Sequence, residues 1–142
     1  MIDPCNELSR DLGSLFRCTR ISDLIRVTTP FTYPDGDFVD VFVEDDGSRV
    51  TDLGETLRWL RMQTGAKRRT TKQQSLIDSV CGASGLELHQ GQLRTGSNES
   101  KILTESIVRV AETCARVSDA WYTHLIKCER KTPEFIRGEY VN

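Results

Sequence analysis

L-I-R-V-T-T-P-F (Leu24–Phe31), D-G-D-F-V-D-V-F-V (Asp35–Val43) and D-D-G-S-R-V-T-D-L-G-E-T-L-R-W-L (Asp45–Leu60) set the architecture. The first run is β-branched or alternating from Leu24 to Thr29, which predicts a strand with Ile25 and Val27 on one face. Pro30, Pro34 and Asp35-Gly36 then make a turn. In Phe38 to Glu44, Val39, Val41 and Val43 share one face, and Phe38, Asp40, Phe42 and Glu44 share the other. That contrast predicts helices covering the valine side. Asp46-Gly47 is a hairpin corner leading to a short third strand, Arg49 to Thr51. Asp52 is expected to cap a helix from about Leu53 to Met62, with Glu55 in the reciprocal capping-box position and Gly65 as the stop.

Ahead of this unit, Asp3-Pro4 starts an N-terminal helix whose residues Cys5, Leu8, Leu12, Leu15 and Phe16 recur at helical spacing, predicting one buried face. Beyond the central unit, a helix is expected from about Thr71 to Cys81, burying Leu76, Ile77, Val80 and Cys81. Leu86 to His89 and Gln92 to Thr95 read as a small second hairpin. The longest element starts at Ser97 or Asn98 and runs to Glu129, before Pro133. Leu103, Ile107, Val110, Cys114, Val117, Trp121 and Leu125 make a heptad-like seam along it. As one rod it would be roughly 45 Å long, more than this domain needs, so either it kinks or part of it packs on another chain. The fold class is therefore α+β: a three-stranded antiparallel sheet with flanking helices, a small second hairpin and a long C-terminal helix. Residues 1–130 form one domain and 131–142 a tail.

Composition narrows the functional classes. At 142 residues and a net charge of −2, the chain suits a single soluble domain with no dominant polyanion-binding surface. No export signal or membrane span is visible, so the cytoplasm is the expected location. Five cysteines, an odd count at wide spacing without a C-x-x-C pair, argue against a disulfide framework and against zinc.

The order T-T-P-F, D-F-V-D-V-F-V and T-D-L-G-E-T-L, followed by helix, hairpin and long helix, resembles the family catalogued as domain of unknown function 1828. Thr28, Thr29, Pro30 and Phe31, with Thr51, Asp52, Gly54, Thr56 and Leu57, carry the resemblance, which extends from about Glu7 to Tyr122. It implies an α+β domain of bacteria and phages, with no established activity, no cofactor and no catalytic residue to carry over. Members often have a second domain, expected to be missing here. Small single-domain members look like phage or mobile-element accessory proteins.

Three constellations invite chemistry. The acids of the central unit include Asp37, Asp40 and Asp52, and a divalent metal for phosphodiester hydrolysis needs two or three carboxylates converging on one ion. Most of these acids have structural work instead. Asp35 and Asp46 form turns, Asp52 and Glu55 cap, and Asp40 is the acid left without such a role. Lys67, Arg68, Arg69 and Lys72, interleaved with Thr70 and Thr71, form the basic cluster and the nucleic-acid candidate; no aromatic lies among them for base stacking. Around the seam, Val108, Ala111, Ala115, Ala120, Tyr122 and Ile126 widen the apolar surface, which suits a protein partner or a second copy. The interface candidates are Phe38, Asp40, Phe42, Trp121, Tyr122 and Leu125. The expected function is a non-enzymatic, phage-type accessory protein acting by protein–protein binding, in the manner of a host-defence inhibitor. The alternative is a metal-dependent nuclease or nucleic-acid-binding protein using the acidic hairpin or the basic loop.

Overall fold

A computed structural model describes residues 3–44, 46–65, 69–96 and 102–129, with residues 124–129 described by backbone alone. The elements in chain order are α1 (Pro4–Gly13), β1 (Arg17–Ile21), β2 (Leu24–Thr32), β3 (Phe38–Glu44), β4 (Val50–Thr51), α2 (Glu55–Thr64), α3 (Thr71–Ala83), β5 (Glu87–His89), β6 (Gln92–Arg94) and α4 (Leu103–Glu129). The α+β class holds, but the sheet has six antiparallel strands, in the order β1-β2-β3-β4-β6-β5, where three were expected.

Two features account for the difference. The first is β1, R-C-T-R-I, which is exposed along its whole length and so lacks the apolar alternation that marks a half-buried strand. A left-handed Ser22, with φ 56°, lets the chain turn back within two residues so that Ile21 faces Leu24. The second is the small hairpin, which does not stand apart. Thr51 pairs with Arg94, Asp52 N–H donates to the Leu93 carbonyl at 3.1 Å, and Thr95 N–H donates to the Val50 carbonyl at 3.0 Å, joining β6 to β4.

Strand β2 also runs further than the prolines suggested. It continues through Pro30 to Thr32, with an irregularity in its pairing to β3 between Thr28 and Thr32. Strand β1 has ended opposite Thr28, so Pro30 faces no ladder that requires its missing N–H. The buried Thr29 hydroxyl donates to the Val39 carbonyl at 2.8 Å and pins the irregular stretch to β3.

The core lies on one side of the sheet. Val27, Val39, Val41, Val43, Val50 and Leu93 meet Leu57 and Leu60 of α2, Ile77 and Cys81 of α3, and Val110, Cys114, Val117 and Trp121 of α4. Helix α4 crosses β2, β3, β4 and β6, with α2 and α3 packed beside it. It is one continuous 27-residue helix. Its seam from Val110 to Trp121 is core, because a helix lying on a sheet needs the same apolar stripe as a coiled coil. The start of the seam emerges, with Leu103 38% exposed.

Helix α1 departs from expectation. Asp3 caps it, accepting from Cys5 N–H at 3.1 Å, yet none of its residues is buried. Leu8, Leu12 and Leu15 are more than half exposed, and of the predicted buried face only Phe16, beyond the helix, packs on the core. Amphipathic spacing reports that a face is apolar and leaves open what covers it. No helix among the described residues is long and apolar enough to cross a membrane.

Candidate functional site

The β4–α2 corner, T-D-L-G-E-T, places a dense polar cluster in the core. Asp52 is fully buried, and its carboxylate faces four donors. Oδ1 takes Gly54 N–H at 2.9 Å and Leu93 N–H at 2.9 Å. Oδ2 takes Thr56 N–H at 3.1 Å, and the Cys114 thiol lies 3.8 Å away. This differs from the expected capping box. The N-cap position is Gly54, and Glu55 pairs outward with Arg58. Asp52 reaches the first helical turn from two residues further back and ties that turn to β6 and α4. Leu53 and Gly54 both adopt left-handed φ (54° and 81°), and the Thr51 hydroxyl steadies the corner by accepting Leu53 N–H at 3.0 Å.

A second chain of contacts leaves this corner for the surface. Thr56 Oγ1 is 3.0 Å from the Tyr33 hydroxyl, Tyr33 stacks on Trp59 at 5.2 Å, and the Trp59 indole N–H donates to Asp35 at 3.0 Å. Burial pushes the Tyr33 phenol well above its ordinary range. The indole bond, followed by the Asp37 backbone N–H, holds the Asp35 carboxyl below the usual carboxylate value. Burial, then the neighbouring Asp52, drives the Cys114 thiol far above its usual range. All of these groups are placed for packing and hydrogen bonding, and none offers an activated nucleophile to solvent.

The predicted metal trio does not converge. Asp52 faces α4 from inside the core, whereas Asp40 lies across from Thr28 on the opposite face of the sheet. Asp37 is exposed in the β2–β3 turn, its N–H donating to Asp35. Among the described residues no three His, Cys, Asp or Glu side chains are grouped to hold a metal ion. The basic cluster is divided. Lys67 and Arg68 lie outside the described residues, Arg69 Nε donates to Gln74 at 2.6 Å, and Lys72 is exposed on α3. Of the interface candidates, Trp121 is buried in the core, Tyr122 is 42% exposed, and the Leu125 side chain lies outside the described residues.

The remaining candidates share the face of the sheet away from the helices. The register puts Arg17, Thr19 and Ile21 of β1 beside Thr28, Arg26 and Leu24 of β2, and these beside Asp40, Phe42 and Glu44 of β3. Thr51, Arg94 and Glu87 continue the row across β4, β6 and β5. Helices α2, α3 and α4 all pack on the other side, so this face has no helical cover among the described residues. Phe38 is 61% exposed at its end. Arg49 pairs with Glu44 at 3.8 Å and Arg94 with Glu87 at 3.0 Å. Arg26 sits between Thr19 and Phe42, and its Nε is buried with no hydrogen-bond partner among the described residues. Arg26 was not singled out from the sequence. The signal was there, since an arginine between Ile25 and Val27 must face away from their shared side.

A family described as a domain of unknown function, DUF1828, matches residues 29–117. The chain belongs to this family. The match begins at Thr29 on β2 and ends at Val117 on α4, so it takes in the sheet from β2 onward, α2, α3 and the core-facing part of α4. Helix α1 and strand β1 lie outside it. Comparison with curated proteins and with solved structures gives no match. Within the DUF1828 region, the residues that carry the family resemblance are architectural: Thr29 pins β2 to β3, Asp52 joins the two hairpins, and Gly54 makes the corner.

Proposed function

We propose that the protein is a non-enzymatic binding module that engages a protein partner through the uncovered face of its sheet, centred on Phe38, Asp40, Phe42 and Arg26. The observation that carries this reading is the uncovered row of β2 and β3, where Phe38 is 61% exposed on the same strand face as Asp40 and Phe42, with Arg26 beside them. Exposed aromatic and arginine side chains are the residue types that dominate protein–protein hot spots. Charges of both signs, two pairs of them already bridged, favour a protein over a polyanion. The family resemblance makes a host defence complex the first partner to try.

The test is capture from host extract with a photo-crosslinking residue at Phe38, and with the same residue at Met62 on α2 as control. The expected result is one stoichiometric protein adduct at Phe38 that survives nuclease treatment. Arg26→Ala or Phe38→Ala is expected to weaken the complex by about 2 kcal/mol, roughly thirtyfold in Kd. Loss of the complex on nuclease treatment, or full binding by both alanine variants, would overturn the reading.

A further inference from the structure

The N-terminal segment that lies outside the family match shows two unsatisfied features side by side. Strand β1 is the sheet edge, and all five of its residues are exposed. Of the devices that blunt such an edge it has neither proline nor bulge, its register with β2 being uninterrupted, and its charges are Arg17 and Arg20. Immediately before it, α1 and the residues that follow turn Leu8, Leu12 and Leu15 to solvent at 58%, 59% and 53% exposure, and Ile21 at the far end of β1 adds 42%. Of the large exposed hydrophobic residues, these four fall within the one stretch from Leu8 to Ile21.

Charge decides what covers them. From Asp3 to Gly13 the chain carries Asp3, Glu7 and Asp11 against Arg10, whereas β1 carries Arg17 and Arg20 and no acid. The segment is therefore its own complement, an acidic amphipathic helix followed by a basic edge strand. An antiparallel ladder of β1 with another β1, centred on Thr19, puts Arg17 opposite Ile21 and Cys18 opposite Arg20, so no like charges stand directly opposite. The same register brings the end of α1 against the other copy's Ser22–Asp23 turn, next to its Ile21 and Leu24. Two features of one chain are satisfied by one twofold contact, the geometry of isologous dimers.

We propose that two copies of this chain pair through β1, extending the sheet from six strands to twelve, with each α1 packing its leucines on the other copy. This contact uses the edge of the sheet and borders the face assigned to the partner protein, with Leu15 beside Phe38 and Ile21 in the same row as Phe42, and that face would become continuous across both copies.

The test is sedimentation or light scattering of the full chain over a concentration series. The expected result is a dimer that becomes monomeric in Cys18→Pro, which removes an N–H pointing away from β2 to the free edge, and in Leu12→Glu, which charges a helix face that buries nothing in the single chain. Both variants are expected to keep the far-ultraviolet circular dichroism of the parent. Val108→Glu, on the exposed side of α4, should remain dimeric. With Cys5→Ser, Cys18→Ser and Cys128→Ser as background, Thr19→Cys should be oxidised by glutathione disulfide to a covalent dimer. The two introduced thiols lose their protons and join as one disulfide, and the glutathione disulfide is reduced to two glutathione thiols. A monomer throughout the series overturns the proposal, as does a dimer that survives both Cys18→Pro and Leu12→Glu. A monomeric chain that still forms the Phe38 adduct would sink the dimer alone and leave the partner-binding face standing.

Discussion

The thiol of Cys114, midway along α4, lies 3.8 Å from Oδ2 of Asp52, sixty-two residues earlier in the chain. It is the point where the corner of the sheet, the start of α2 and the long helix meet. Three backbone N–H groups and one thiol share a fully buried carboxylate. Asp52→Ala leaves those three N–H groups without that acceptor in the core, and each costs about 1–3 kcal/mol. A loss of about 4 kcal/mol in urea unfolding is expected. Asp52→Asn should lose less, since one oxygen can still serve Gly54 and Leu93. Equal stability of Asp52→Ala and the parent would remove Asp52 from this role.

The thiols divide by position. Cys5 and Cys18 are exposed, and Cys81 and Cys114 are buried. Burial first, then Asp52 and Asp78, pushes Cys81 up to about 11 from its ordinary 9.0. The folded state therefore disfavours the thiolate. The unfolded chain ionises first, so the contribution of this thiol is fully present below 9.0 and is lost as pH rises toward about 11. Denaturation midpoints should fall across that window. Alkylation mapped by mass spectrometry at neutral pH should label Cys5 and Cys18 and reach Cys81 and Cys114 only in denaturant.

Tyr33, Trp59 and Asp35 make a fluorescence reporter. The Tyr33 ring stacks on Trp59 with planes 13° apart, and the indole N–H donates to Asp35. Because that bond holds the Asp35 carboxyl below its ordinary 3.8, its contribution is present above that value and lost as pH falls through the lowered one. Trp59 emission should titrate in that acidic range, and Asp35→Asn should abolish the transition. Tyr33→Phe removes the hydrogen bond to Thr56 and should cost about 1 kcal/mol.

Two glycines should respond to alanine with opposite signs. Gly54 has φ +81°, with the Gly91 carbonyl oxygen 3.5 Å from an added Cβ, so the cost is backbone strain and not collision. Gly54→Ala should destabilise by about 1–2 kcal/mol. Gly82, within α3, has open space around a Cβ, and Gly82→Ala should stabilise by about 0.5–1 kcal/mol. Thermal unfolding of the pair against the parent checks both.

The features legible in the sequence are the local ones. The valines of β3, the Asp46-Gly47 corner, the helix starts at Asp3-Pro4 and about Thr71, and the apolar stripe of α4 depend on neighbours within a few residues, and each is found near its expected place. Which of these surfaces meet is settled by chain segments far apart. Asp52 reads as an ordinary helix cap until Leu93 and Cys114, each more than forty positions away, arrive at its carboxylate. The seam of α4 reads equally as core or interface, and the sheet beneath it makes most of it core. The stripe of α1 reads as buried, yet nothing among the described residues covers it. Periodicity is a property of one element, whereas burial belongs to a pair, and the second member lies elsewhere in the chain or in another molecule.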